Sequence, residues 1–191
     1  MRVDPLGTVQ QWLDEAVAAG IEEPSAMTLA TATPDGDVSA RMVLLRGLDD
    51  RGLVFYTNRR SAKGRELAAN PRAAAVLHWQ ALGRQVRVTG RVTEADDATS
   101  DAYFAARARG SQLSAWASPQ SEIITDRAVL DDAVAELSRR YPDAVPRPPW
   151  WGGYWLAPDV VELWTHRDNR LHDRQRFTRD GDAWRHDLLA P

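Results

Sequence analysis

Gln85-Val86-Arg87-Val88-Thr89-Gly90-Arg91-Val92 is the stretch that decides the fold. Val86, Val88 and Val92 alternate with Gln85, Arg87, Thr89 and Arg91, the two-residue period of a strand with one buried face. Gln85 and Arg87 therefore face away from the core. Just upstream, residues 73–79 have the same strand character. Further back, residues 53–56 form another strand candidate, and residues 61–69 a helical stretch closed by Asn70-Pro71. Residues 27–33 and 38–46 are two β-rich segments around Pro34-Asp35-Gly36-Asp37. Pro presets one turn dihedral there and Gly tolerates positive φ, so a hairpin is expected. At the front, Thr8-Val9-Gln10-Gln11 has the form of a capping box. Trp12, Leu13, Ala16 and Val17 follow as an apolar stripe before Gly20, which places a short amphipathic helix within residues 1–20.

Downstream, residues 96–109 and 126–140 turn helical, with a joint expected at Gly110-Ser111. The Pro-rich stretch 145–153 reads as a fixed irregular connection, because Trp150 and Trp151 give it something to bury. Strand-like residues 160–164 come next, then a basic run, then residues 175–189 with a turn at Asp180-Gly181-Asp182. Strands joined mostly by short turns, without strict β-α alternation, favour an antiparallel barrel over a doubly wound sheet. The expected class is mainly β with inserted helices.

The chain's 191 residues suffice for one well-packed domain and are short for two, so a single domain over 1–191 is expected. A hydrophobic fraction of 43% with 27% charged residues excludes a disordered chain, and a net charge of -3 argues against a nucleic-acid coat. Without cysteine there are no disulfides, thiolate metal sites or cysteine nucleophile. Met1-Arg2-Val3-Asp4-Pro5 lacks the apolar core of a signal peptide and no apolar run is long enough to span a bilayer, so a cytoplasmic location without membrane partners is expected.

Phosphate-loop, dinucleotide, zincin and serine-hydrolase signatures are all missing, and His78, His166, His172 and His186 have no metal-ligand spacing, so no metal is expected. What remains is a scattered set of cations, amides and hydroxyls beside aromatics. Asn169-Arg170-Leu171-His172-Asp173-Arg174 is its densest part. On an extended segment Arg170, His172 and Arg174 would share one face, a cationic surface suited to an anionic or aromatic ligand; on a helix His172 would turn away from the other two. Tyr103 and Arg107, four apart on a helical stretch, can converge on one oxyanion.

The order of these blocks resembles the pyridoxamine 5'-phosphate oxidase family. The resemblance is carried by Arg41-Met-Val-Leu-Leu45, Phe55-Tyr-Thr-Asn58, Lys63-Gly-Arg-Glu-Leu67, Asn70-Pro-Arg-Ala73, Arg84-Gln-Val-Arg-Val88, Asp101-Ala-Tyr-Phe104, Arg109-Gly-Ser-Gln112, Ala115-Trp-Ala-Ser-Pro-Gln-Ser121, Pro146-Arg-Pro-Pro149, Trp151-Gly-Gly-Tyr154 and Asn169-Arg-Leu-His-Asp-Arg174. It implies an FMN-binding split β-barrel, a homodimer with FMN at the subunit interface, and a C-terminal segment 145–191 that serves dimerisation and the active site. The implied reaction oxidises pyridoxamine or pyridoxine 5'-phosphate to pyridoxal 5'-phosphate, with O2 as acceptor and H2O2 as product.

By motif position the resemblance assigns the cofactor to Arg41, Met42, Val43, Leu44, Leu45, Arg46, Tyr56, Thr57, Lys63, Gln85, Gln120, Ser121, Trp164 and Arg174, with Arg41 and Lys63 on the FMN phosphate. It assigns the substrate to Arg46, Tyr103, Arg107, Ser111, Arg170, Leu171 and His172, and the catalytic role to Arg170 and His172. Two other readings are an FMN oxidase of the same fold acting on a phenazine precursor, and a non-catalytic flavin or pyridoxal-phosphate binder.

The chain departs from the family pattern at three places. Arg46 stands where the family has Lys, which exchanges a compact ammonium for a larger fork. Ala62 stands where it usually has an Arg on the FMN phosphate. Members also often carry a basic N-terminal arm over the substrate, whereas this sequence starts almost directly at its first helix, so a more open site is expected. A charge-assisted hydrogen bond is worth roughly 1.5–3 kcal/mol. Ala62→Arg should therefore tighten FMN by about ten- to a hundredfold; an unchanged affinity in a flavin titration of that variant would reject the idea.

Overall fold

The computed structural model describes residues 4–191, so the first three residues of the expected N-terminal helix lie outside the described residues. The chain runs α1 (Pro5–Ala18), β1 (Ala26–Ala32), β2 (Val38–Leu44), β3 (Gly47–Asp49), β4 (Gly52–Asn58), α2 (Ala62–Ala69), β5 (Arg72–Trp79), β6 (Arg84–Glu94), α3 (Asp97–Ala105), α4 (Arg109–Ala117), α5 (Ala128–Arg140), β7 (Trp151–Thr165), β8 (Asp173–Asp180) and β9 (Ala183–Leu188). Among the described residues nine strands form one antiparallel sheet in the order β2-β1-β5-β6-β7-β4-β3, with β8 and β9 continuing from β7.

One edge of β7 is paired with β6 from Tyr154 to Thr165. The other edge is shared: β4 takes Trp151 to Leu156, β8 takes Val160 to Thr165, and the ladder is broken between them. The break coincides with a register shift in β6 between Thr89 and Gly90, opposite Pro158. Proline has no N–H to give a ladder and is tolerated at such an irregularity, while Gly90 is needed because a Cβ there would lie 1.9 Å from the Ala157 carbonyl oxygen. The sheet thus splits into two diverging wings, the half-barrel with helices that the strand pattern implied. Val86, Val88 and Val92 are buried in its core with Leu29, Leu77, Phe55, Leu156 and Val161, and α1 closes the core with Leu6, Val9, Trp12 and Ala16.

Several boundaries differ from the sequence reading for physical reasons. The cap of α1 is Asp4, whose carboxylate accepts from the Gly7 N–H ahead of Pro5, so Thr8 lies inside the helix and is not its cap. Val17 is 59% exposed and leaves the stripe, its place taken by Val9. Gly110 and Ser111 are no joint: they sit in the first turn of α4, and the chain bends just before it, between α3 and α4. β7 begins at Trp151, inside the stretch read as irregular, and runs for 15 residues. Its first half is buried on both faces, which leaves no alternation to read. Among the described residues no helix is long and apolar enough to cross a membrane.

Gly52 starts β4 at φ +120, and a Cβ there would stand 2.1 Å from the Leu156 carbonyl oxygen on β7. Gly52→Ala combines a strained backbone with a clash at the split, so it should cost about 2–4 kcal/mol, read as a lower urea midpoint. A loss under about 0.5 kcal/mol would show that the two wings are not held at this point.

Candidate active site

The sequence-expected residues collect in two places. The first is a cavity of ≈ 420 Å³ lined by Leu44 at the end of β2 and Arg46 just after it, by Tyr56, Thr57 and Asn58 of β4, by Tyr103, Arg107 and Ser111 around the bend between α3 and α4, and by Gln120 and Trp151. Its floor is aromatic. Tyr56 stacks on Tyr103 at 3.8 Å between ring centroids and 9° between planes, and Trp151 lies 5.6 Å from Tyr56. The Arg107 guanidinium sits over Trp151 at 4.7 Å, and its Nη1 is buried without a hydrogen-bond partner among the described residues. Burial pushes the Arg107 pKa down, Tyr103 acts against this, and the nearby Arg46 charge lowers it further. A buried donor of this kind is costly until an acceptor meets it, and with the Arg46 charge nearby the cavity can take an acceptor-rich, anionic group.

Behind Thr57 lies a second cationic centre. Lys63, 6% exposed, donates from Nζ to the hydroxyls of Thr57 and Ser61, both at 3.3 Å. The Thr57 hydroxyl in turn donates to Gln120 Oε1 at 3.3 Å, tying this centre to the cavity. Burial lowers the Lys63 pKa, and the Arg41 charge lowers it further against a weaker pull from Glu66. Arg41 is bonded to the hydroxyls of Thr31 and Ser39 and pairs with Glu66 at 3.1 Å. Hydrogen bonds from Thr31, Ser39 and Arg41 hold the Glu66 carboxyl below its ordinary range although burial opposes them. The rest of this block diverges: Leu45 is buried in the core with its N–H on the Ser25 carbonyl, Val43 packs against the core, and Met42 is 61% exposed.

The second place is the far end of β7. Register aligns Gln85 of β6, Trp164 of β7 and Arg174 of β8 on one rung, with His78 of β5 beside Gln85, so these side chains share one sheet face. Residues 169–174 are not an extended strip. Asn169 and Arg170 take left-handed φ of 55° and 63°, and the strand starts only at Asp173. A left-handed arginine costs on the order of 1 kcal/mol, a strain that a functional turn retains. Arg170 and Leu171 are exposed, while His172 packs on Trp164 at 4.5 Å. The Arg167 N–H donates to His172 Nδ1 at 3.1 Å, and the Arg167 side chain pairs with Asp173 at 2.7 Å. Ser121 lies in an exposed loop at φ 73°, next to Gln120.

Arg46, Tyr56, Thr57, Tyr103, Arg107, Ser111 and Gln120 thus meet around one cavity, and Gln85, Trp164, His172 and Arg174 gather at the opposite end of the strand that links them. Sequence reasoning named neither Glu66 nor Glu162, the carboxylates that hold Arg41 and Arg174. Glu66 stands three residues after Lys63 on α2, a helical neighbour that its spacing could have flagged. Among the described residues no group of three or more His, Asp or Glu is placed to hold a metal ion.

Comparison with known proteins places these two regions in one family. Residues 13–141 match the family model described as pyridoxamine 5'-phosphate oxidase, and residues 151–191 match the pyridoxine 5'-phosphate oxidase C-terminal dimerisation region. The chain is 53% identical to a pyridoxine/pyridoxamine 5'-phosphate oxidase of Rubrobacter xylanophilus over 98% of its own length and 87% of the relative's. It is 51% identical to one of Synechocystis, over 98% and 88%. Among solved structures it is similar to PhzG from Burkholderia lata in complex with tetrahydrophenazine-1-carboxylic acid, with a TM-score of 0.94 and 37% identity, covering 98% of this chain and 93% of that one. An FMN-binding protein of Nostoc punctiforme shares the fold at a TM-score of 0.80 and 22% identity over the whole of both chains.

Because Nδ1 of His172 accepts a backbone N–H, the neutral ring carries its proton on Nε2. Long-range nitrogen–proton correlation spectra of histidine-labelled protein should show the Nε2–H tautomer for His172, and the Nδ1–H pattern would refute this geometry.

Proposed function

The chain belongs to the pyridoxamine 5'-phosphate oxidase family, and from that premise we propose that it is an FMN-dependent oxidase converting pyridoxine or pyridoxamine 5'-phosphate to pyridoxal 5'-phosphate, with O2 reduced to H2O2. The observation that carries the reading is the cavity where the unpartnered Arg107 Nη1 converges with Arg46, Tyr103 and Ser111. Two planar cations and two neutral hydroxyls match the several acceptor oxygens of a phosphate ester.

FMN fits the second cationic centre on the same grounds. The buried Lys63 ammonium has two hydroxyls at hydrogen-bond distance and no carboxylate within ion-pair distance among the described residues. A phosphate there supplies the missing negative charge, with Arg41 beside it. Tyr56, Thr57, Gln120 and Ser121 then line the way from that phosphate, and Gln85, Trp164 and Arg174 frame the ring. Those two sets lie at opposite ends of β7, so the complete site forms between two copies, each offering its anion cavity to the other's Trp164 end. The match of residues 151–191 to a dimerisation region supports this arrangement.

Bound FMN supplies the hydride acceptor and passes the electrons to oxygen. The chain's own residues bind and orient. Arg46, Tyr103, Arg107 and Ser111 grip the substrate phosphate, fixing the ring against translation. Arg170 and His172, presented by the strained turn, hold the reacting end, with His172 donating from Nε2. Trp164 backs the His172 ring and keeps water from that side. Orientation of this kind is worth several kcal/mol of barrier without any acid or base in the protein.

A second reading is oxidation of a phenazine precursor, favoured by the likeness to PhzG and by Arg46 in place of Lys. The higher identity to the vitamin B6 phosphate oxidases supports the first. The deciding experiment loads the purified protein with FMN, adds pyridoxine or pyridoxamine 5'-phosphate in air, and follows aldehyde and peroxide. Turnover of either vitamer is expected. Arg170→Ala should lower kcat about a hundredfold with FMN still bound, whereas Lys63→Ala should weaken FMN about ten- to a hundredfold. Failure to bind FMN would sink both oxidase readings, and flavin binding without turnover of either vitamer would point to the phenazine-type substrate.

A further inference from the structure

Glu162 is buried on the wrong face of its strand. Val161 and Leu163 point into the core, so Glu162 and Trp164 belong to the opposite face, yet Glu162 is only 7% exposed. Its cover is arginine. Oε1 accepts from Arg174 Nε at 2.8 Å and Oε2 from Arg87 Nη1 at 3.2 Å, while register sets Arg176 directly across on β8. Arg176 is drawn aside by Asp187 at 3.1 Å, which leaves the Glu162 carboxylate to the other two.

Arg174 is held on two sides. Glu162 takes Nε, and the Ala190 carbonyl takes Nη1 at 3.0 Å. Its remaining nitrogen, Nη2, has no partner among the described residues. A planar guanidinium fixed through Nε and Nη1 has one direction left for Nη2. A free arginine on a strand would sample several rotamers and give up that freedom on binding.

We propose that Glu162 is a positioning residue for the flavin site: it orients the Arg174 guanidinium so that Nη2 is presented, beside Trp164 and Gln85, to the cofactor. The inference rests on the reading of Arg174 as a flavin contact. Glu162 touches no ligand itself and acts through Arg174.

The test is a double-mutant cycle read as FMN dissociation constants from the quenching of flavin fluorescence. Arg174→Ala and Glu162→Ala should each weaken FMN about tenfold or more. The double variant should be no weaker than Arg174→Ala alone, because Glu162 has nothing left to orient. Glu162→Gln, which keeps an oxygen for Arg174 Nε, should hold FMN within about threefold of the parent and also serves if the alanine variant fails to fold. A role confined to stabilising the sheet would lower the melting temperature of Glu162→Ala but leave the two losses in FMN affinity additive. Additive losses, or a Glu162→Gln variant as weak as Arg174→Ala, would overturn the proposal while the oxidase reading stands. Parent protein that binds no FMN would overturn both.

Discussion

The shared edge of β7 is the constraint on which the rest depends. One strand of 15 residues is paired with β6 from Tyr154 to Thr165 on one side and divided between β4 and β8 on the other. Two strands cannot lie on one edge of a twisted sheet without diverging, so the sheet opens where Pro158 and Gly90 interrupt the ladder. The divergence puts the cationic cavity beside β4 and the Trp164 rung beside β8. A straight β7 with a continuous partner would have merged the wings and left no separate surfaces to carry function.

Electrostatics explains why those surfaces call for ligands. The sheet places arginines freely, but each is settled differently. Arg41 and Arg174 are matched by Glu66 and Glu162, which fixes their geometry and reduces their net charge. Among the described residues Arg107 and Lys63 are not matched: one keeps a buried donor without an acceptor, the other has only hydroxyls, and burial moves both away from the charged form. A protein selected for stability alone would have paired or removed such groups.

What could be read in advance follows from this division. β6 was legible because it has one buried face, and the β1–β2 hairpin because its turn residues have a single backbone solution. The first half of β7 was not, since it is buried on both faces and contains the Gly and Pro that usually interrupt a strand. The start of α4 was hidden because Ala108 gives no side-chain cap and Gly110 resembles a break. Asn169 carried the one local hint that the basic run would turn, asparagine being among the residues that enter the left-handed region most easily. At the site, the kinds of side chain were legible from the sequence, but the pairings of Arg41 with Glu66 and Arg174 with Glu162 were not. Those depend on cross-strand register and on which helix face meets the sheet, quantities no local pattern encodes.

The separation of the two clusters also bears on how the site is completed. Each protomer has an anion cavity at one end of β7 and an aromatic and guanidinium surface at the other. On the proposed oxidase reading neither alone suffices: the cavity has the phosphate donors but lacks the Trp164 rung, and the rung has orienting groups but no phosphate grip. On that reading a two-fold arrangement would resolve this, since any contact between one copy's first end and the other's second end is repeated by symmetry and would yield two complete sites. Left-handed residues 169 and 170 leave the Arg170 side chain exposed, which on the same reading makes it available to a ligand held mainly by another copy.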